Sequence, residues 1–366
     1  MRGKAEHQAV MLSILTPEQM VPGDHPIRQI KPIVERVLGN LTPTFEAMYA
    51  CVGRPSIPPE HLLKSCVLIA LYSIRSERQF CEQLRYNLLF KWFLDLNVGD
   101  PAFDPSTFSK NKTRLLEHEV ARRFFEQVVE EARRRKLLSW EHFSVDGTLL
   151  EAWASMKSVR PKDGNAPPSA GGKNPTVDFR GDRRRNATHA STTDPEARLA
   201  RKGLGHEAKL CFGGHLLMDN RHGLAVDVRL SMATGTAERE VAAKMLQRLP
   251  GWDPITVGAD KNYDTHEFVE TCRLMGVAPH VACKTRGSAL DRRTTRHAAY
   301  AASQRARKRI EEIFGWMKTV GGGRKLRYRG VVRNQLWAEL TVAAYNLLRI
   351  AKLIRHRTGG PAAVAA

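Results

Sequence analysis

Ile255-Thr256-Val257-Gly258-Ala259-Asp260-Lys261-Asn262-Tyr263-Asp264 is a short apolar run that ends abruptly in charge. Its β-branched and small residues read as a strand over 254–259, and Asp260 stands just past that strand's C-terminal end. In an α/β sheet this is where ligands bind. Downstream, Thr265 to Met275 is patterned as a helix and Val277 to Cys283 as a strand. Upstream, His142 to Leu150, Glu207 to Met218 and Gly223 to Ser231 are strand-like and Ala237 to Leu249 is helical. Asp219-Asn220-Arg221-His222-Gly223 supplies the turn of a hairpin, so the expected sheet is mixed and the unit α/β.

Outward from this unit the period changes. Residues 1–136 read as an all-helical N-terminal domain. Pro58 and Pro59 open one helix, and Ser76 with Gln79 forms a capping-box pattern for a second running on through Trp92 and Phe93. Asp104-Pro105-Ser106 opens a short polar helix over 107–116, and a charged helix follows over about 118–136. After the sheet, Gln304 to Thr319 is amphipathic and stops at Gly321-Gly322-Gly323, and Asn334 to Arg355 carries an apolar face. The second domain is expected over 137–358, with a basic flexible insert at about 161–202 and a disordered tail at 359–366.

The chain has 58 Lys and Arg against 38 Asp and Glu, a formal charge of +20. Over half of it is local: between Lys284 and Arg329, 14 basic residues face only Asp291, Glu311 and Glu312. Such a field calls for a polyanionic partner, and nucleic acid fits better than membrane because no basic amphipathic helix stands out. The six cysteines hold no Cys-x-x-Cys pair and read as reduced thiols. With no signal-peptide core and no apolar stretch long enough to span a bilayer, the expected location is cytoplasmic, on the nucleoid.

Three acids sit in settings that suit metal ligands: Asp146 after Phe143-Ser144-Val145, Asp260, and Glu311 in the helix over 304–319. Asp146 can also be read as the corner of an Asp-Gly hairpin, and Glu311 as a solvated helix charge. Arg307, Glu311 and Lys318 are spaced by four and then seven residues, which at 100° per residue places them within about 40° on one helix. A carboxylate flanked by two cations suits chemistry on a phosphate backbone. Three converging carboxylates repel one another unless a cation lies between them. Oxygen ligands favour two ions of Mg²⁺ (or Mn²⁺), about 4 Å apart, for phosphodiester hydrolysis or transesterification. No Gly-x-Ser-x-Gly or Walker loop offers another chemistry. His206, His215 and His222 share no ligand spacing, and Asp264 suits the N-cap of the next helix.

Val145-Asp146-Gly147-Thr148, Ala259-Asp260-Lys261-Asn262-Tyr263-Asp264 and Arg307-x3-Glu311-x6-Lys318 together resemble the motifs of the Asp-Asp-Glu (DDE) transposases of bacterial insertion sequences, particularly the IS four and IS five group. His25-Pro26-Ile27-Arg28, Gly53-Arg54-Pro55 and Asp104-Pro105-Ser106-Thr107-Phe108 are similar to the helical N-terminal domain of the same enzymes, so the resemblance covers most of residues 20–350. It implies a ribonuclease H-like mixed sheet with flanking helices and catalytic, metal-binding Asp146, Asp260 and Glu311. It further implies two Mg²⁺ or Mn²⁺ ions, binding of double-stranded DNA at terminal inverted repeats, and strand cleavage and transfer, with a homodimer expected on the DNA. A regulator that has lost catalysis and a nuclease that only hydrolyses are the alternatives. Two positions depart from the pattern: Gln304 stands where the signature has Tyr, and Asn262 where it has Gly, a place where Asn's tolerance of left-handed backbone would preserve the turn. DNA contacts are expected from Arg307, Lys318 and Lys261, and from Lys110, Asn111 and Arg114 if the helix over 107–116 enters a major groove. The basic insert and the Arg286 to Arg296 loop are expected to order on DNA.

Overall fold

The computed structural model describes residues 16–49, 56–162, 184–203, 206–249 and 254–357. Residues 163–183 of the basic insert, Gly53-Arg54-Pro55 and the C-terminal tail lie outside the described residues, while the rest of the insert is described and includes two short strands. Among the described residues eight helices come first: α1 (Pro17–Met20), α2 (Ile27–Asn40), α3 (Thr42–Met48), α4 (Pro59–Leu71), α5 (Glu77–Tyr86), α6 (Leu88–Phe93), α7 (Pro105–Glu117) and α8 (Val120–Arg134). The strands are β1 (His142–Glu151), β2 (Val159–Pro161), β3 (His189–Ser191), β4 (Arg198–Ala200), β5 (Lys209–Asp219), β6 (Leu224–Met232), β7 (Ile255–Ala259) and β8 (Val277–Val281). Helices α9 (Ala237–Leu246) and α10 (His266–Leu274) alternate with the later strands, and α11 (Arg292–Arg296), α12 (Ala298–Arg307), α13 (Ile310–Lys318) and α14 (Val331–Arg357) close the chain.

The long strands lie side by side in the order β6-β5-β1-β7-β8. Pairing is antiparallel from β6 to β1 and parallel from β1 to β8, with the short β4 extending the β6 flank of β5. Three meandering strands followed by two parallel crossovers make the ribonuclease H-like mixed sheet that the resemblance implied. Strand alternation divides its faces. Phe143, Val145, Val257 and Ala259 pack with α9 and α10 around Ala242, Met245 and Phe268, while the opposite face meets α12, α13 and α14.

Local chemistry sets the element ends, in places differently from the expectation. Ser76 accepts the Gln79 N–H at 3.1 Å, but the Gln79 side chain accepts from Arg75 rather than from Ser76. The helix it starts ends at Tyr86, because Asn87 turns extended and caps α6 through the Phe90 N–H. Thr265, not Asp264, caps α10; Asp264 is buried and accepts the N–H groups of Lys284 and Ala289, pinning the loop after β8. The hairpin corner proposed at Asp146-Gly147 does not exist, since β1 runs straight through it to Glu151.

The N-terminal helices do not enclose a core of their own. One cluster of buried side chains runs from Val21 through Phe124 and Phe212 to Ala351, with α14 at its centre against α2, α4, α8 and β6. β6 is an edge strand, and its free backbone is met by α14: Asn346 bonds the N–H and carbonyl of Ala225, and Gln335 the N–H of Leu230 and carbonyl of Val228.

Candidate active site

The β1–β7 pairing runs from His142 opposite Thr256 to Ser144 opposite Gly258. Continued two residues, the same register sets Asp146 opposite Asp260, where β7 has ended and β1 continues without its neighbour. Asp260 accepts the Asn262 N–H at 2.9 Å and thereby starts a tight turn over Lys261–Tyr263 that carries the chain out of the sheet. Asn262 is not left-handed there, so its place in the turn does not depend on the tolerance inferred from sequence. Asp146 accepts the Gly147 N–H at 2.8 Å.

Two glycines let the helices close on this notch. A Cβ at Gly258 would stand 3.3 Å from the Ser303 carbonyl oxygen and 3.1 Å from Ser144 Oγ, so α12 crosses β7 at backbone contact. That crossing brings the charge of Arg307 to Asp146, and Arg307 Nε is buried without a partner. On the other face, a Cβ at Gly147 would lie 2.8 Å from both Cγ and Oε1 of Glu238 in the first turn of α9. Burial pushes the Asp146 carboxyl up to about 6, the nearby charges of Asp260 and Glu238 add to the rise, and Gly147 N–H and Arg307 oppose it. Glu238 is raised as well, by burial and then by Asp260. Tyr263, fully buried, is held well above the usual phenol value by burial and by the charges of Glu238, Asp146 and Asp260.

Glu311 is not gathered with the two aspartates. It is exposed on α13 and its carboxylate forms no hydrogen bond or ion pair among the described residues, which also contain no group of three or more His, Cys, Asp or Glu placed to hold a metal. The single helix expected over 304–319 is two, α12 and α13. Across Lys308 and Arg309 the hydrogen bonds step back three residues (Arg309 to Ala306, Glu311 to Lys308), and such a turn advances about 120° per residue, so a stripe counted at 100° through Arg307 is offset. Within α13 the geometry is regular, and Glu311 and Lys318 share a face. Lys318 donates to Thr148 Oγ1 of β1 at 2.5 Å, so that face lies along β1. Burial, and then Lys202, lowers the Lys318 pKa.

The remaining predicted contacts separate cleanly. Lys261, Lys110 and Arg114 are exposed, the last with its guanidinium 5.5 Å from the Tyr49 ring centre. Asn111 is only 7% exposed and its amide donates to the Thr107 carbonyl one turn back, so it presents no edge to a groove. This corrects its assignment as a base-reading residue. Gln304 donates to the carbonyls of Ala259 and His280, tying α12 across the ends of β7 and β8. His215 is buried beside Ser231, its pKa lowered by burial to about 4, and His222 meets the Leu137 carbonyl, so neither joins the site. Sequence reasoning missed Glu238, an acid in a helix's first turn, where acids are common for reasons of the dipole alone. The missing side chain at Gly147 was the available signal.

Fold and site thus define a ribonuclease H-like protein with an acidic notch where β7 ends. Residues 15–114 match the family described as Transposase domain (DUF772), and residues 186–347 match the Transposase DDE domain. The two segments take in most of the chain, which is a DDE transposase. Asp260 and Glu311 fall inside the second segment and Asp146 between the two. No curated protein matches the chain. Among solved structures it is similar to a piggyBac transposase synaptic complex with hairpin DNA, at 8% identity over 93% of this chain and 77% of that one, with a TM-score of 0.46. A Mos1 transposase paired-end complex with left transposon end is similar at 10% identity over 75% and 83%, with a TM-score of 0.20. The family matches, not these likenesses, carry the assignment. None of the described helices is long and apolar enough to cross a membrane.

Proposed function

We propose that this transposase, a member of the IS four and IS five group, cleaves and transfers DNA strands at terminal inverted repeats, with Asp146, Asp260 and Glu311 as its catalytic acids. The observation that carries the reading is the β1–β7 register, whose last pair, Ser144 opposite Gly258, brings Asp146 and Asp260 to the same end of the sheet. The donor set fits Mg²⁺ or Mn²⁺: every candidate ligand is a carboxylate oxygen, and burial together with the charges of Asp260 and Glu238 raises the Asp146 carboxyl. Two such ions, held by Asp146, Asp260 and Glu311, would supply the charge that activates a water or a 3′-hydroxyl and stabilises the leaving oxygen. The chain's own side chains do the rest. Arg307, at the notch, and Lys318, along β1, neutralise the phosphates on either side of the bond to be cut. Lys261 extends this cationic line beyond β7, while Lys110 and Arg114 on α7 engage duplex further away, and two protomers on paired ends complete the assembly.

The test uses duplexes ending in the terminal repeats of the element that carries the coding region. With Mg²⁺ or Mn²⁺, wild type should nick at the repeat boundary and join a labelled 3′-hydroxyl end to target DNA. Asp146→Asn, Asp260→Asn and Glu311→Gln should each abolish both steps while retaining DNA affinity. Wild-type-like cleavage by any one variant removes that residue from the site, and nicking without joining would mark a nuclease instead.

A further inference from the structure

Of the ten residues of α12 only Ser303 is buried, so apolar packing does little to hold this helix on the sheet. What holds it is polar. Tyr300, Ser303 and Gln304 share one face, and each bonds the end of β7 or β8. The Tyr300 hydroxyl donates to the Val281 carbonyl at 2.9 Å, and Ser303 Oγ lies 2.8 Å from His280 Nδ1. The Gln304 amide donates to two carbonyls, that of Ala259 at 3.3 Å and that of His280. Arg307 stands one turn further along the same face, its Cβ 3.7 Å from where a Cβ on Gly258 would be, and its Nε is buried without a partner among the described residues. Gly258 lies opposite Ser144 and two residues before Asp260, and by strand alternation Asp146 points to the same side as Ser144, toward α12.

Helix α13 is held by other means. Its Ile310, Ile313, Phe314 and Met317 are buried, so apolar packing fixes Glu311 on the far side of the joint at Lys308–Arg309. Arg307 and Glu311 are thus placed independently, and the bonds that place Arg307 converge on Gln304. An unpaired buried guanidinium N–H calls for an acceptor, which on the reading above is a phosphate oxygen of the end DNA.

We propose that Gln304 is a positioning residue: its amide locks α12 across the ends of β7 and β8 so that Arg307 meets the phosphate beside the bond to be cut, while Gln304 itself touches no DNA. The inference rests on the reading of Arg307 as a phosphate contact and of Asp146 and Asp260 as catalytic acids, and the experiment separates them.

Full-length Gln304→Met keeps the length of the side chain and removes both N–H donors. Single-turnover cleavage of terminal-repeat duplexes at saturating protein, the salt dependence of DNA binding and the melting temperature are measured for it, for Arg307→Ala and for the double variant. Gln304→Met should slow cleavage by about 10- to 100-fold, as when a change outside the chemistry misplaces a group by about 1 Å. It should also lower the slope of log K against log salt by about 1, as Arg307→Ala does. The two losses should not add: the double variant should cleave within about twofold of Arg307→Ala. A change that merely loosened the fold would lower melting and multiply with Arg307→Ala. Tyr300→Phe, which removes one bond from the same face, should show the same non-additivity with a smaller loss, and it decides the question if Gln304→Met does not fold. Wild-type cleavage and salt slope in Gln304→Met, or losses that multiply in the double variant, would overturn the role of Gln304. Wild-type cleavage and slope in Arg307→Ala would overturn the phosphate contact and this inference with it. Wild-type cleavage by Asp260→Asn would overturn the catalytic reading, and the salt slopes would still decide for or against Gln304.

Discussion

Asp146→Asn should stabilise the ion-free protein, although it destroys the proposed catalytic site. The carboxyl is raised from 3.8 to about 6 because burial and two neighbouring carboxylates disfavour its charge. An acid whose pKa is higher folded than unfolded binds more protons in the folded state between roughly pH 4 and 6, so stability falls as pH rises through that window and then levels off. At about 1.4 kcal/mol per unit, a shift of about two units costs at most about 3 kcal/mol above pH 6. Asn carries no charge to desolvate and its side-chain oxygen can still accept the Gly147 N–H. For a chain this long, an unfolding entropy of about 2.1 cal/mol/K per residue converts that figure to a rise of about 3–4 °C in Tm. Differential scanning fluorimetry in EDTA should therefore show the variant melting above wild type at pH 8, with the gap closing toward pH 4. Excess Mn²⁺ should reverse the order by binding wild type alone. A variant that melts lower than wild type in EDTA at pH 8, or a gap independent of pH, would refute the electrostatic account of the notch.

Arg307→Ala and Lys318→Ala should each reduce the salt dependence of end-DNA binding by about one counterion, a drop near 1 in the slope of log K against log salt, with smaller effects on melting; salt titrations by fluorescence anisotropy would show it, and an unchanged slope would take that residue off the phosphate path. Glu77→Ala should destabilise by about 3–5 kcal/mol in urea unfolding, since it leaves Lys112, paired with Glu77 and lying 4.6 Å from the Tyr328 ring centre, as an uncompensated buried cation; a loss under 1 kcal/mol would show that Tyr328 and solvent suffice.

Much of the sheet is legible because period-two runs such as Lys209–Asp219 and strand-end punctuation such as Asp219 to Gly223 are local signals. Asp146 and Asp260 are legible for the same reason: each follows an apolar run that must lie in the sheet. What the sequence hides is set by distant partners. Asn111 looks like a surface amide in a polar helix until neighbouring elements bury it, and Asp264 looks like a cap until residues 284–289 arrive to use its carboxylate. The joint at Lys308–Arg309 carries no proline or glycine to announce it, so counting at a fixed angle runs across it. Glu238 is invisible as a site residue until the fold lays α9 over Gly147.

Helix α14 buries fourteen residues on all its sides, as a helix does when protein surrounds it. A protease cut or gene truncation near 136 would therefore do more than divide two functions. The C-terminal piece would lose the cover of α2, α4 and α8, and any slippage of α14 would free the β6 backbone that Gln335 and Asn346 now occupy. An uncovered edge strand is a template for pairing with another chain. Separately produced halves should thus come out of cells as aggregates, and recover together or not at all.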